Sequence, residues 1–406
     1  MTIKKITSDQ LRQGMFISDL NCGWNEHPFI RSKFKVTGDE TVAKILNAGI
    51  KEVYIDTEKG LDVHDAPTQS EVKRDIERDL RKIAETPVPE PRSAYEEELE
   101  RAGKVKGEAT ALVKSIMSDV RLGRAIEIDR VQPVVQNITE SILRNPGALL
   151  GLVHIKDKDD YTFLHSVSVC TLMVAFCRSR GMKGEIVREA GMGGLLHDTG
   201  KAKVPDEVLN KPGRLTDEEF AIIRKHPRDG YDILKDIPKI SDIVLDITLH
   251  HHERCDGTGY PDNLKQHQIT MLAQMAAVVD VYDAITADRC YHKGMTPAEG
   301  VRKLFEWSKH HFNAEHVQNF MRCVGIYPVG TLVMLESERL ALVIEPHPTN
   351  MLAPKVKAFF NTRSGTRMTP EIIDLSKGFG AGGGDRILSY EQPAKWGLDL
   401  ALELGS

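Results

Sequence analysis

Histidine and aspartate recur through the middle of the chain in a pattern that could hold metal ions. His165 is followed by the pair His197-Asp198, then by His226, by the run His250-His251-His252, and by Asp280 inside an apolar stretch. Imidazole and carboxylate together suit iron, manganese, zinc or nickel better than calcium or magnesium. Six or more such groups exceed the four ligands of one structural zinc. Two ions sharing a carboxylate would use them all and leave positions for water, and Asp198 is the natural bridge because it directly follows a histidine and carries two oxygens. Taken singly, each residue has a plainer reading. A histidine near a helix end is usually a cap or a surface residue, and a lysine after a helix-ending glycine is usually solvated. Asp280 resists that reading, because an unpaired buried carboxylate is costly.

Two cations add a phosphate to this chemistry. Lys201 stands three residues beyond Asp198, close enough to neutralise a non-bridging phosphate oxygen, and Arg289 follows Asp280 by nine residues and could make a bidentate contact.

The elements that must carry these groups read as helices. Ala111, Leu112, Ile116 and Val120 share one face, and Val134, Val135, Ile138, Ile142 and Leu143 another. Stretches 164–180 and 186–196 give two more, separated by Gly181 and Gly184. Thr216 with Glu219 forms a capping box that opens a helix expected to reach His226. Stretches 240–249 and 271–285 complete the core, the latter capped by Thr270. The expected fold is mainly α: a helical catalytic core over 93–325, a small α/β unit over 1–63, and a β-rich extension over 326–406. In the first unit Thr37 or Asp39 is expected to cap a short helix ended by Gly49, followed by a strand at 53–55. The stretch 64–92 reads as a charged, proline-containing linker with one helix at 70–84, since Thr86-Pro-Val-Pro-Glu-Pro91 cannot propagate a helix. Strands are expected at 331–335, 341–344 and 356–360. Gly378-Phe-Gly-Ala-Gly-Gly383 formally matches a nucleotide-binding GxGxxG, but no adequate helix follows it.

The 406 residues favour more than one domain, and 41% hydrophobic with 28% charged residues is ordinary for a globular chain. A net charge of −5 gives no electrostatic reason to bind a nucleic-acid polymer or an anionic membrane. No apolar run suggests a leader or a membrane span, and six scattered cysteines without a CxxC pair suggest neither a disulfide framework nor a zinc ribbon. A reduced, cytoplasmic location is the expectation.

The residues now carry a resemblance. His197-Asp198 with Lys201 resembles the signature of the HD phosphohydrolase superfamily. His251-His252-Glu253-Arg254-Cys-Asp256-Gly257-Thr-Gly259-Tyr260-Pro261 is similar to the HHExxDGxGYP signature of the HD-GYP family. The likeness extends through His165, Lys211-Pro-Gly-Arg-Leu-Thr216, His226-Pro227 and Asp280-Val-Tyr-Asp-Ala284, covering roughly residues 150–325. Residues 1–63 resemble a small domain of unknown function found ahead of such modules.

The resemblance implies hydrolysis of the second messenger cyclic di-GMP to pGpG, and in some members onward to GMP. It implies the metal ligands His165, His197, Asp198, His226, His251, His252 and Asp280, with His250 a neighbour. It implies two divalent transition-metal ions per chain, iron or manganese first, with nickel and zinc as other choices. Ions about 3.5–4 Å apart would lower the pKa of a bridging water toward about 7. Asp198 and Lys201 would then be catalytic, with Lys201, Arg289 and Lys293 binding substrate. The Gly259-Tyr260-Pro261 loop is expected to serve structure and contacts with a protein partner, and a homodimer is compatible with the family. Two departures stand out. Relatives with a third metal carry a glutamate four residues before the first histidine, where this chain has Tyr161, so two ions are expected. Relatives follow the arginine with Pro-Tyr-Arg or Pro-Tyr-Lys, whereas here Arg289-Cys-Tyr-His292 moves the second basic contact to Lys293. Other readings are a further HD-superfamily nucleotide hydrolase, a non-catalytic cyclic di-GMP sensor or interaction module, and a di-iron redox protein. The first has no need of the GYP segment, degenerate modules lose HD or GYP residues, and the last leaves Lys201 and Arg289 without a purpose.

Overall fold

A computed structural model describes residues 2–23, 27, 29, 32–83, 93, 95–154, 161–211, 213, 215–287, 294–347, 350–378 and 384–398, without the side chains of Glu96, His154, Tyr161 and Thr162. The first unit contains β1 (Ile3–Thr7), β2 (Phe16–Asp19), β3 (Phe34–Lys35), α1 (Asp39–Asn47) and β4 (Glu52–Asp56). Its strands form an antiparallel sheet in the order β1-β4-β2-β3. Side chains alternate across a strand, so Val53 and Ile55 enter a core with Ile6, Ile17 and Ile45. Lys5 and Tyr54, paired across β1 and β4, share the other face. The expected cap of α1 is not made: Gly38 holds the N-cap position and no side chain accepts there, because Thr37 Oγ1 lies 3.1 Å from Thr41 Oγ1 instead. Gly49 closes the helix at φ +74°, a conformation in which a side chain would be strained.

The middle of the chain is helical. It runs through α2 (Gln69–Ile83), α3 (Tyr95–Arg121), α4 (Ile128–Arg144), α5 (Pro146–His154), α6 (Tyr161–Ser179) and α7 (Glu185–Leu196). A 3-10 turn over Thr199–Lys203 leads to α8 (Asp206–Leu209), α9 (Asp217–Ile223), α10 (His226–Leu234), α11 (Asp242–His250), α12 (Met271–Thr286), α13 (Pro297–Trp307) and α14 (Ala314–Val324). Helix α6 is apolar on all sides, and Val167, Cys170, Met173, Val174 and Phe176 are all fully enclosed, which makes it the axis of the bundle. Helix α2 is more than part of a linker: Leu80 and Ile83 enter the same core as α6. The proline-rich remainder, 84–92, lies outside the described residues.

The chain closes with β5 (Leu332–Leu335), β6 (Arg339–Glu345), β7 (Lys355–Asn361), β8 (Thr366–Asp374), β9 (Ile387–Tyr390) and the short α15 (Pro393–Trp396). The strands form one antiparallel sheet, ordered β8-β7-β6-β5-β9. Strands β8 and β9 were not expected from the sequence. Pro370 sits within β8, which is an edge strand exposed along most of its length, so the apolar alternation that signals a strand is missing. Of the glycine-rich stretch, 379–383 lie outside the described residues.

Helix α13 ties the three units together. Glu306 accepts from the Tyr54 hydroxyl at 2.6 Å and pairs with Lys5 at 2.7 Å, while Trp307 Nε1 donates to Asn21 Oδ1 at 3.2 Å. One turn earlier, Arg302 pairs with Glu77 of α2 and lies 4.4 Å from the ring centre of Tyr390 in the C-terminal sheet.

Candidate metal centre

Five helices deliver the donor groups to one buried spot. His165 projects from α6. His197 caps the C-terminus of α7 and Asp198 follows it into the 3-10 turn. His226 opens α10, His251 and His252 follow the last residue of α11, and Asp280 comes from the middle of α12. The helix opened by the Thr216 capping box does not carry His226. Glu219 N donates to Thr216 Oγ1 at 3.2 Å as expected, but α9 ends at Ile223 and His226 begins a new helix with Pro227 beside it. Proline lacks the N–H that continuing the first helix would require. The 3-10 turn after Asp198 packs directly on this junction. A β-carbon on Gly200 would collide with the His226 carbonyl oxygen, so glycine is what lets the two segments meet.

His165 Nε2 lies 2.9 Å from Asp280 Oδ1 and 3.5 Å from Asp198 Oδ2. His197 Nε2 lies 3.4 Å from Asp198 Oδ2 and 3.6 Å from Asp280 Oδ1. On the other side of Asp198, Oδ1 is 3.2 Å from His226 Nε2 and 4.0 Å from His251 Nε2. His252 Nδ1 stands 3.7 Å from Asp280 Oδ2. Asp198 therefore turns one oxygen toward each group of imidazoles.

Backbone carbonyls set the rings. His197 Nδ1 bonds Gly194 O at 2.8 Å, His226 Nδ1 bonds Ile223 O at 2.8 Å, and His251 Nδ1 bonds Thr248 O at 2.9 Å. A carbonyl can only accept, so in these three rings the proton sits on Nδ1 and Nε2 offers a lone pair inward. His165 is held differently: its Nδ1 lies 2.6 Å from Asp283 Oδ2, a carboxylate 1% exposed. Asp283 carries no role in the sequence reading. The signal was there, since a second carboxylate three residues after Asp280 repeats on one face of an apolar helix.

Two observations test whether this spot fits a cation. His197 Nε2 and Asp198 Oδ1 are buried with no hydrogen bond. His226 Nε2 and His251 Nε2 are 3.2 Å apart, lone pair toward lone pair by the tautomers above. Facing lone pairs repel unless a cation stands between them, and two nitrogens at about 2.1 Å from one ion are separated by roughly that distance. The donors form three overlapping groups: His165 with His197 and Asp280, His197 with Asp198 and His251, and His226 with His251 and His252.

For both carboxylates and three of the imidazoles the charge states agree. Burial opposes ionisation of Asp198, but His197, Lys201 and His226 outweigh it and hold the carboxyl well below the usual range. Asp280 is likewise held low against burial by His165 and His197. Burial pushes His251 and His252 well below the ordinary imidazole value, for His252 against the opposing charge of Asp280, and burial lowers His226. His165 goes the other way, because Asp280 and Asp283 overcome its burial. Anionic carboxylates and neutral imidazoles are the forms that bind metal.

Lys201 Nζ sits 2.6 Å from Asp198 Oδ2 and is 21% exposed, so it borders the donors on the solvent side. His250 turns away to Asp246 at 2.7 Å and Asp262 at 3.3 Å. Arg289 and Lys293 lie outside the described residues. Tyr161 begins α6, one turn before His165, and its side chain also lies outside them. The loop after His252 is pinned by buried Glu253, which accepts from Asp262 N at 2.6 Å and Leu264 N at 2.9 Å.

Comparison with known proteins matches residues 153–315 to the HD domain, and residues 3–131 to a domain of unknown function, DUF3391. The latter match runs past the N-terminal sheet through α2 and α3. A cyclic di-GMP phosphodiesterase of Pseudomonas aeruginosa is 44% identical over 401 residues, 97% of this chain and 93% of that protein. The chain belongs to the HD-GYP family. A cyclic di-GMP phosphodiesterase response regulator of Xanthomonas campestris is 32% identical over 49% of this chain and 53% of that protein. The solved structure of an HDG"Y"P protein from Bdellovibrio bacteriovorus is 18% identical, covering 78% of this chain and 98% of that one at a TM-score of 0.47. The clustered donors are those of a divalent-metal centre. Among the described residues no helix is long and apolar enough to cross a membrane.

Proposed function

We propose that this chain is a metal-dependent phosphodiesterase that hydrolyses cyclic di-GMP to pGpG, with GMP as a further product. The observation that carries the reading is Asp198, whose two buried oxygens each face a separate group of imidazoles. Its ligands for two divalent ions, iron or manganese before nickel or zinc, are His165, His197, Asp198 and Asp280 on one side and Asp198, His226, His251 and His252 on the other. Bound there, such ions supply Lewis-acid polarisation of a phosphoryl oxygen and a water acidified toward neutrality.

The chain's own residues do the rest. The backbone carbonyls of Gly194, Ile223 and Thr248 fix three rings in the ligating tautomer, and Asp283 fixes the fourth. Lys201, 21% exposed, holds its ammonium on Asp198 Oδ2 at the edge of the donor cluster, where it can also take a non-bridging phosphate oxygen and balance charge as it builds. Arg289, with its fork of donors, and Lys293 are assigned to the substrate phosphates. A small anionic substrate explains how a chain of net charge −5 can work on a phosphodiester, since the positive charge is local. Partner binding by the Tyr260 loop, a homodimer and a cytoplasmic location complete the reading.

The test is Asp198→Ala in the full chain, with metal content by elemental analysis. Wild type should hold two ions per chain and the variant should lose most metal and all turnover together. Wild-type turnover by the variant at equal metal loading, or three well-occupied sites in wild type, contradicts the assignment.

A further inference from the structure

His252 is the donor nearest the surface, and its ring does not end the site. The Tyr260 ring stacks on it, centres 4.7 Å apart and planes 28° from parallel. Next to Tyr260 lies Arg224, its guanidinium carbon 4.6 Å from that ring centre and 5.6 Å from the Phe220 ring centre. All three are partly exposed, His252 by 18%, so the contacts from His252 through Tyr260 to Arg224 link the metal centre to the surface. Other cations nearby are paired. Arg228 bonds Asp262 at 2.7 Å, Lys211 bonds Glu219 at 2.6 Å, and Lys203 lies 3.7 Å from Asp229. Among the described residues Arg224 has no carboxylate within 4.0 Å and its guanidinium makes no hydrogen bond.

An arginine whose plane is pinned by aromatic rings keeps its edge N–H groups for an outside acceptor. Two acceptors fit such an edge: a phosphate, or the O6 and N7 atoms of guanine, which take a bidentate arginine side by side. Position separates them. The phosphate under attack belongs on the donors beside Lys201, whereas Arg224 stands two ring-stacking steps away, about where a nucleotide carries its base. We propose that Arg224, oriented by Tyr260 and Phe220, reads the guanine base of the nucleotide whose phosphate lies on the metal centre. The proposal rests on the phosphodiesterase reading above and adds a source of base selectivity. Adenine presents an N6 amino donor where guanine presents O6, so the same edge meets a donor with donors and is left unsatisfied.

The test compares the metal-loaded full-length wild type with Arg224→Ala and Arg224→Lys. Steady-state kinetics use cyclic di-GMP and cyclic di-AMP, and calorimetry measures GMP and AMP binding without turnover. Arg224→Ala should raise KM for cyclic di-GMP roughly ten- to hundredfold, the worth of one bidentate base contact. It should leave kcat and metal content near wild type and should abolish a preference for GMP over AMP. Arg224→Lys should fall between the two, because a point charge cannot fork. Equal losses for guanine and adenine ligands would overturn the proposal in favour of a phosphate contact. Loss of metal, or a fall in kcat with unchanged KM, would overturn it in favour of a prop for Tyr260. A wild type that prefers GMP through Arg224 but cleaves neither dinucleotide would sustain this inference and sink the functional reading.

Discussion

Asp283→Asn isolates what a single buried carboxylate does for the metal centre. Asp283 Oδ2 lies 2.6 Å from His165 Nδ1, and its charge helps raise the basicity of that ring against the cost of burial. Asparagine keeps the volume and can still accept the Nδ1 proton through its carbonyl, so the ring keeps its place. What is lost is the negative charge that makes Nε2 a stronger ligand. Removing a carboxylate behind a metal-binding histidine typically lowers metal affinity or activity about 10–100-fold, or about 1.4–2.7 kcal/mol. The loss should fall on the ion shared by His165, His197 and Asp280, leaving the ion at His226, His251 and His252 near its wild-type affinity. Chelator competition with Mn²⁺, read as two successive binding steps, separates them, and a thermal melt of the metal-free proteins checks that both fold. A folded variant with two wild-type affinities would refute the reasoning and leave His165 held by packing alone.

Lys201→Ala should keep both ions and lose rate, because its ammonium is assigned to phosphate; elemental analysis beside turnover checks this, and loss of metal would make Lys201 a support for Asp198. Glu306→Ala should destabilise the full chain by about 3 kcal/mol, the low end for breaking a buried ion pair, since Lys5 retains Glu52 at 2.6 Å. Urea unfolding measures it, and an unchanged midpoint would mean that the N-terminal sheet rests on α13 without holding it.

Much of the site is legible in the sequence because a metal centre demands residue types that a helical core otherwise avoids. Asp280 stands out in an apolar helix, and His197-Asp198 and His251-His252 fall where helices end. Asp283 escaped because it acts through His165, and nothing in its spacing says whether it binds an ion or a ring. The Thr216 capping box marks a true helix start, and Pro227 signals that a new helix opens at His226, a break the sequence reading passed over; the close approach of Gly200 to that junction is visible only in the fold. The N-terminal boundary is similarly obscured. The charged face of α2 reads as a linker, and only packing reveals Leu80 and Ile83 in the central core. Strand β8 is polar and exposed, so its pairing with β7 is a tertiary fact without a local period. Tyr54 and Lys5 face outward from their own sheet, and what they face, Glu306, lies 252 residues from Tyr54 in the chain and still further from Lys5.

Incubating the purified full-length chain with cyclic di-GMP and Mn²⁺ or Fe²⁺ without oxygen, then resolving the products by chromatography, tests the central claim most directly. The expected result is conversion to pGpG, with GMP following, and its abolition when a chelator strips the metal. Intact cyclic di-GMP after incubation with protein carrying two ions, or equal conversion by metal-free protein, would contradict it.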